Sequence, residues 1–305
     1  MNSLQALLAL LVFPGLLYAL PMGWLMLGSE RRIVARLQGR IGPPVSQAFY
    51  DFVKLLAKWP VPRGPEALLL TFLPLLAVGT TLGSLALLPV LTGHGGFAGD
   101  LILLVGLLEM APLCAVLAGF ASRSVYGEVG ATREAVLGIS VNVPFLAALL
   151  ALSASAGSLQ LAGIAEAAPW AVRVPALLAI LCCLPVKLRL NPFSVANAEQ
   201  EILAGPLTEY DGPRLALWEL AHALEWVALA GLVAALVVPF QALGRPLGAV
   251  LFILASFALV PLLATLAAAT ARLKLSQATR FLWRWAALAS AIAFTAAVAV
   301  RHWRA

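Results

Sequence analysis

The chain has 305 residues, 62% of them apolar and 11% charged, with a formal net charge of +6 and a mean hydropathy of +0.96. A soluble domain carries about a quarter charged residues, and even a 300-residue core leaves roughly a quarter of its unfolded surface wet. This composition therefore excludes a soluble enzyme and makes lipid the solvent. The fold class expected is all-α, a polytopic membrane protein of about eight transmembrane helices forming one domain, each span needing ~20 apolar residues.

The first apolar run, Leu4 to Leu27, has no basic leading segment and no small-residue cleavage site before Arg31 and Arg32, so it reads as a retained span and not a signal peptide. Next comes Ser46 to Lys58, which sets Phe49, Phe52, Val53 and Leu56 on one helical face and Gln47, Asp51, Lys54 and Lys58 on the other. That pattern predicts an amphipathic helix along the membrane interface, either a plain anchor or part of a site. Further spans are expected at Leu68 to Leu91, Leu101 to Ala121, Ala135 to Ser155 and Val174 to Leu190, the last of these short and containing Pro185. A polar, acidic loop follows from Asn191 to Arg214, and three more spans run Leu215 to Val238, Leu247 to Ala269 and Phe281 to Val300.

Lysine and arginine concentrate in alternate connections. Residues 31–63, 123–133, 187–214 and 272–284 hold 7, 2, 3 and 4 of them, and the other side keeps Arg173, Arg245, Arg301 and Arg304. Short cytoplasmic loops accumulate these residues, so this split of 16 to 4 places both termini outside. It also accounts for the basic pI of 9.7 without a nucleic-acid partner.

Cys114, Cys182 and Cys183 lie in apolar runs and read as buried thiols, and His94, His222 and His302 are scattered, so no metal-ligand spacing is present. Three acids fall inside spans: Glu109, Glu219 and Glu225. An ionised carboxylate facing lipid costs at least ~2.5–3.5 kcal/mol, so these should face a bundle interior or a wet cavity, as proton carriers or as carboxyls hydrogen-bonded between helices. Glu219, His222 and Glu225 step by three residues, within ~120° of one face over ~9 Å of rise, a spacing suited to a proton ladder. The loop before them adds Glu199, Glu201, Glu209 and Asp211, with Arg214 as the nearby cation. The chain offers no activated nucleophile and no phosphate-cradling loop, so no catalytic residue is assigned.

Four stretches resemble a known family. They are R-x-x-x-R-L-Q-G-R-I-G-P at Arg32 to Pro43, A-S-R-S-x-Y-G-x-x-G-A-T-R-E at Ala121 to Glu134, A-E-Q-E-I-x-A-G-P-L-T-E-Y-x-G at Ala198 to Gly212, and A-R-L-K-L-S-Q-A-T-R at Ala271 to Arg280. In this order they look like the respiratory complex I subunit called H in bacteria and 1 in mitochondria, whose superfamily includes the membrane anchor of group 4 energy-converting nickel–iron hydrogenases and formate hydrogenlyases. G-P-L-T-E-Y and G-A-T-R-E are similar to the hydrogenase branch.

The resemblance implies a prokaryotic inner-membrane subunit, non-catalytic alone, that links electron transfer in peripheral subunits to proton or Na⁺ translocation. Its expected partners are a hydrogenase-like or complex I-like large subunit, an iron–sulfur small subunit and antiporter-like membrane subunits. Iron–sulfur and nickel–iron centres are expected in those partners and none in this chain, with quinone left open as a ligand. An acidic funnel through Glu199, Glu201, Glu209, Asp211, Glu219 and Glu225 is implied. So is a docking platform or quinone-like cavity using Arg32, Arg36, Gln38, Arg40, Gly42, Pro43, Phe49, Asp51, Arg133, Arg214, Arg272 and Arg280. One position departs from the family: a glutamate common in the fourth span is replaced by Asn142, which cannot exchange a proton. Two alternatives are a quinone-site subunit of NADH:quinone oxidoreductase and a stand-alone secondary transporter. The second expects repeats or broken helices, and no repeat is evident between the halves.

Overall fold

A computed structural model describes residues 11–12, 15–59, 67–88, 100–197, 201, 204–238 and 245–304. Among these residues the regular secondary structure is entirely helical. Seven helices are long and apolar enough to cross a membrane, and the start of the expected first span lies outside the described residues.

Helix α1 covers Leu16–Leu37 and continues ten residues past the end of the first apolar run. Its last turns carry Glu30, Arg31, Arg32 and Arg36, so the apolar run marks the thickness of hydrocarbon and not the length of the helix. The expected interfacial helix is α2, Gln47–Leu56. It lies on α1 through Trp24, whose ring meets Phe49 at 5.0 Å and Phe52 at 5.3 Å. Only Ala48 of α2 is buried, while Phe49, Val53 and Leu56 stay exposed along the face the pattern assigns to lipid. Gly28 permits this packing: a Cβ there would collide with the carbonyl of Val45 in the turn leading into α2.

Helices α3 (Ala67–Ala86), α4 (Asp100–Ala121) and α5 (Val125–Ala156) follow. The 32 residues of α5 span ~48 Å, well beyond the ~30 Å of hydrocarbon. Its start precedes the expected span by ten residues, which places Arg133 and Glu134 on a rigid helix and not in a loop. Gly157, with φ +68, closes α5 in the left-handed conformation. A short helix that the hydropathy pattern does not resolve, α6 (Leu161–Ala167), returns to α7 (Trp170–Lys187).

Among its described residues the expected acidic loop contains a 3₁₀ turn, Gly205–Leu207, before α8 (Gly212–Val237). Next come α9 (Arg245–Ala269), α10 (Leu275–Phe281), a π turn at Leu282–Ala286 and α11 (Ala287–Arg304), the last three forming one span.

Helix α8 is the centre of the bundle, with 83% of its most apolar window buried against 28–56% in the other six candidate spans. It packs on α1, α2, α3 and α9, while α5 gathers α4, α7 and α11. Its buried face is rich in small residues, the run Ala228 to Leu236 holding Ala228, Ala230, Gly231, Ala234 and Ala235. In lipid there is no hydrophobic drive between helices, so close van der Waals approach along such a stripe holds the bundle together. Proline sits inside α1, α3, α4, α5, α7 and α9, but α8 has its proline only at the first turn, Pro213, where no helical hydrogen bond is lost.

Candidate ion path and docking face

A polar cavity of about 420 Å³ opens where the basic ends of α1, α5, α7 and α8 meet the segment after α7. Glu219, His222 and Glu225 all line it, as their threefold spacing predicts, together with Glu30, Arg31, Glu134, Arg189 and Arg272. Glu225 is buried on α8, and its Oε2 lies 3.5 Å from His222 Nδ1 and 3.7 Å from the Arg189 guanidinium. The Arg189 Nε donates to Glu134 Oε1 at 3.0 Å. One cation thus holds a carboxylate from α5 and another from α8.

Arg189 reaches both because of how α7 ends. Its φ is +54, the left-handed position that closes a helix and that usually falls to glycine. The Leu190 N–H returns to the Pro185 carbonyl at 2.8 Å and the Arg189 N–H to Val186 at 3.1 Å. A left-handed non-glycine costs ~1–2 kcal/mol, a strain that the surrounding charges hold in place. Burial opposes the charge on Arg189, but Glu134 and Glu225 outweigh it and hold the guanidinium above its ordinary pKa.

A second polar group lies between α4, α5 and α7. Glu109 of α4 forms an ion pair with Lys187, the last residue of α7. Asn142 of α5 donates to Glu109 Oε2 at 2.8 Å and accepts from Lys187 Nζ at 2.9 Å, which closes a three-membered ring of contacts. Lys187 Nζ also sits 4.4 Å from the centre of the Phe145 ring. The basic-residue distribution puts Lys187 in a surface connection, whereas the structure buries it, because a carboxylate and an amide on neighbouring helices satisfy its charge. Glu109 does not line the cavity around Glu225 and belongs to this separate cluster.

The remaining loop acids spread out. Glu199 lies outside the described residues. Glu201 is exposed and pairs with Arg133 at 2.7 Å, a hydrogen bond that holds its carboxyl below the usual range. Glu209 and Asp211 are half-buried at the start of α8, away from the cavity wall, and Arg214 turns to Thr71 of α3 at 3.1 Å.

The proposed docking residues share the basic end. Arg32, Arg36, Gln38 and Arg40 lie on and just after the last turns of α1, with Arg40 bonded to Gln38. Gly42 packs on Arg32 and Ala35, and Pro43 lines a small recess beside Arg40. Between them Ile41 is fully exposed. Asp51 accepts from Gln47 at 2.8 Å and pairs with Arg31 at 3.6 Å, while Phe49 packs on Trp24. Arg272 reaches Ser194 at 3.2 Å and joins the cavity wall, and Arg280 is exposed on α10.

Comparison with known proteins gives this geometry a lineage. The family model described as NADH dehydrogenase matches residues 8–298. The chain belongs to the NADH dehydrogenase family. Within it, the chain is 35% identical to hydrogenase-4 component C of Escherichia coli over 71% of each chain. It is 30% identical to formate hydrogenlyase subunit 4 of the same organism, covering 85% of this chain and 89% of that one. With the H component of the NADH-quinone oxidoreductase of Geobacillus kaustophilus it shares 30% identity over 90% and 88%. Its fold matches a chain of the membrane-bound sulfane sulfur reductase, an archaeal respiratory membrane complex, with a TM-score of 0.85 and 25% identity over 96% and 98% of the two chains. This member of the NADH dehydrogenase family is a multi-pass membrane subunit of a respiratory-type oxidoreductase complex.

Proposed function

We propose that the chain is the membrane anchor and coupling subunit of a hydrogenase-type complex in a prokaryotic inner membrane, with both termini outside. It links electron transfer in cytoplasmic peripheral subunits to proton or Na⁺ movement. The observation that carries this reading is the Arg189 cluster: a buried, cation-held set of carboxylates in a polar cavity, directly below a surface that presents Ile41 and the arginines of α1. The 35% identity to a hydrogenase-4 component and the G-P-L-T-E-Y sequence support the hydrogenase branch.

In this reading the large and iron–sulfur subunits dock on the turn at Arg40 to Pro43 and on α2, and antiporter-like subunits flank the bundle. The ion path enters by Glu219, His222 and Glu225. The cavity wall carries Glu30, Glu134, Glu219 and Glu225 with Arg31, Arg189 and Arg272. These charged side chains suit water and protons and stand beside an apolar wall that includes Leu27, Ala111, Leu188, Trp218 and Trp226, and no quinone step is assigned to this cavity. Co-purification of a nickel–iron large subunit tests the branch. Glu225→Gln and Glu219→Gln keep size and hydrogen bonding but remove the titrating group. Ion pumping per electron in membrane vesicles should fall in both with subunit content unchanged, and parental pumping in both would make these carboxyls structural.

A further inference from the structure

An apolar crevice of about 650 Å³ opens in the flank of the bundle between α7 and α9. It arises because α7 packs on α5 and α11, whereas α9 packs on α1 and α8, so neither closes on the other. Leu178 and Cys182 line one wall, Leu262 and Leu266 the other, and Phe193 and Phe281 roof it at the basic end, their rings 5.4 Å apart. We propose that this crevice binds an anionic phospholipid, with one acyl chain between α7 and α9 and the phosphate on Lys274, Arg280 and Arg284. The site is separate from the polar cavity and does not depend on the proposed ion path.

Size and lining select a lipid chain. A helix ~10 Å across that crosses half of the ~30 Å hydrocarbon displaces more than ~1,000 Å³, so the crevice is too small for one and suits a flexible chain. A quinone head needs hydrogen-bond donors. The Thr270 hydroxyl is already donated to the Leu266 carbonyl at 2.7 Å, which leaves only the weak thiol donor of Cys182 among the lining side chains. Leu178, Leu262 and Leu266 are 54%, 51% and 40% exposed. Left empty, the gap would forfeit the dispersion contacts of these walls.

Charge selects the headgroup. Lys274 follows Leu273, which lines the crevice, Arg280 precedes Phe281 of the roof, and Arg284 comes three residues later. All three are exposed, and among the described residues no acid pairs with any of them. No Asp or Glu follows Glu225 in the sequence, so the whole stretch is basic. The π turn at Leu282–Ala286 sets Trp283, Arg284 and Trp285 all outward. Indole rings settle at headgroup level, and an arginine stem lies on apolar surface while its guanidinium stays with the phosphates. Arg272, by contrast, turns to Ser194 and the polar cavity. Three cations without acids match a headgroup of net negative charge, which a zwitterionic lipid does not offer.

The test places the intact complex in phosphatidylcholine nanodiscs that hold a small, equal fraction of a photoactivatable lipid. The lipid is phosphatidylglycerol or phosphatidylcholine, each with the same diazirine-bearing acyl chain, and labelled peptides are mapped by mass spectrometry. Phosphatidylglycerol should label residues 178–185 and 262–270 at least ~10-fold more than phosphatidylcholine, while the exposed face of α3 at Phe72 and Leu75 is labelled alike by both. Lys274→Gln with Arg280→Gln and Arg284→Gln should bring the two lipids to within ~2-fold at the crevice. Arg284→Gln alone, with a ~3-fold loss of preference, serves should the triple variant fail to assemble. Leu266→Trp fills the crevice with the basic rim intact and should abolish labelling there. Equal labelling by both lipids in the parent makes the crevice ordinary bilayer surface, and no labelling by either means that a partner subunit covers it; each result overturns the proposal. Undiminished preference in the triple variant does so too, as does stronger labelling by a photoactivatable quinone with an isoprenoid tail at the same fraction.

Discussion

Arg189 combines two opposed energies in one residue. Its left-handed backbone costs ~1–2 kcal/mol that glycine would not incur. Its guanidinium, however, pairs with two largely buried carboxylates, Glu134 and Glu225, whose side chains are 13% and 4% exposed. Removing one partner of a buried pair costs ~3–5 kcal/mol, so the charge loss wins. Arg189→Gly should destabilise the solubilised complex by ~2–3 kcal/mol, read as thermal inactivation, and adding Glu134→Gln should recover part of it. A net gain for Arg189→Gly would mean that backbone strain dominates.

At the residue scale the sequence is legible where partners are local. Glu219, His222 and Glu225 share a helix, so their spacing alone places them on one cavity. Glu109, Asn142 and Lys187 come from three helices, separated by 33 to 78 positions, and no local period can bring them together. The orientation rule hides Lys187 and Arg189 alike: each counts as an inside-facing basic residue, and nothing further in the sequence distinguishes it.

Among the elements, apolar runs locate spans well and their ends poorly. Helices α1 and α5 extend ten residues beyond their runs because polar turns outside lipid add no hydropathy, yet those turns carry Glu30, Arg31, Arg133 and Glu134. The amphipathic helix is the most legible element, its boundaries matching to within two residues. What its pattern cannot give is how it is seated. That depends on Gly28 of α1 meeting Val45. In the same way Gly205, with a φ of +58 and a contact with Gly130, brings the loop before α8 down onto α5. Gly28→Ala should push the turn at 41–46 off α1, because the obstacle is backbone and cannot rotate away. Membrane insertion should be normal, while the peripheral subunits wash off in detergent at lower salt than from the parent, as judged by subunit content. Unchanged retention would mean that this turn is not the docking platform.

Across the molecule, described helix ends gather in two separate groups. The α5–α6 connection gathers with Arg301 at one end, and the Arg31, Arg189 and Arg272 segments gather at the other. In the proposed orientation, the 16 to 4 split of basic residues makes the second end cytoplasmic. In a background without native cysteines, Leu159→Cys should react with an impermeant reagent from outside and Ser276→Cys should not, and the reverse pattern would invert the topology.

The enclosure of α8 bears on how this protein can transmit anything at all. A helix packed on four neighbours through alanine and glycine has no slack to tilt or slide without opening voids along its length. The backbone that carries Glu219, His222 and Glu225 is then a fixed track, and the moving parts are side-chain rotamers and water. A signal from a distant redox centre would cross such a bundle as an electric field acting on stationary carboxylates, with no lever arm, and its speed would be set by proton hops and not by helix motion.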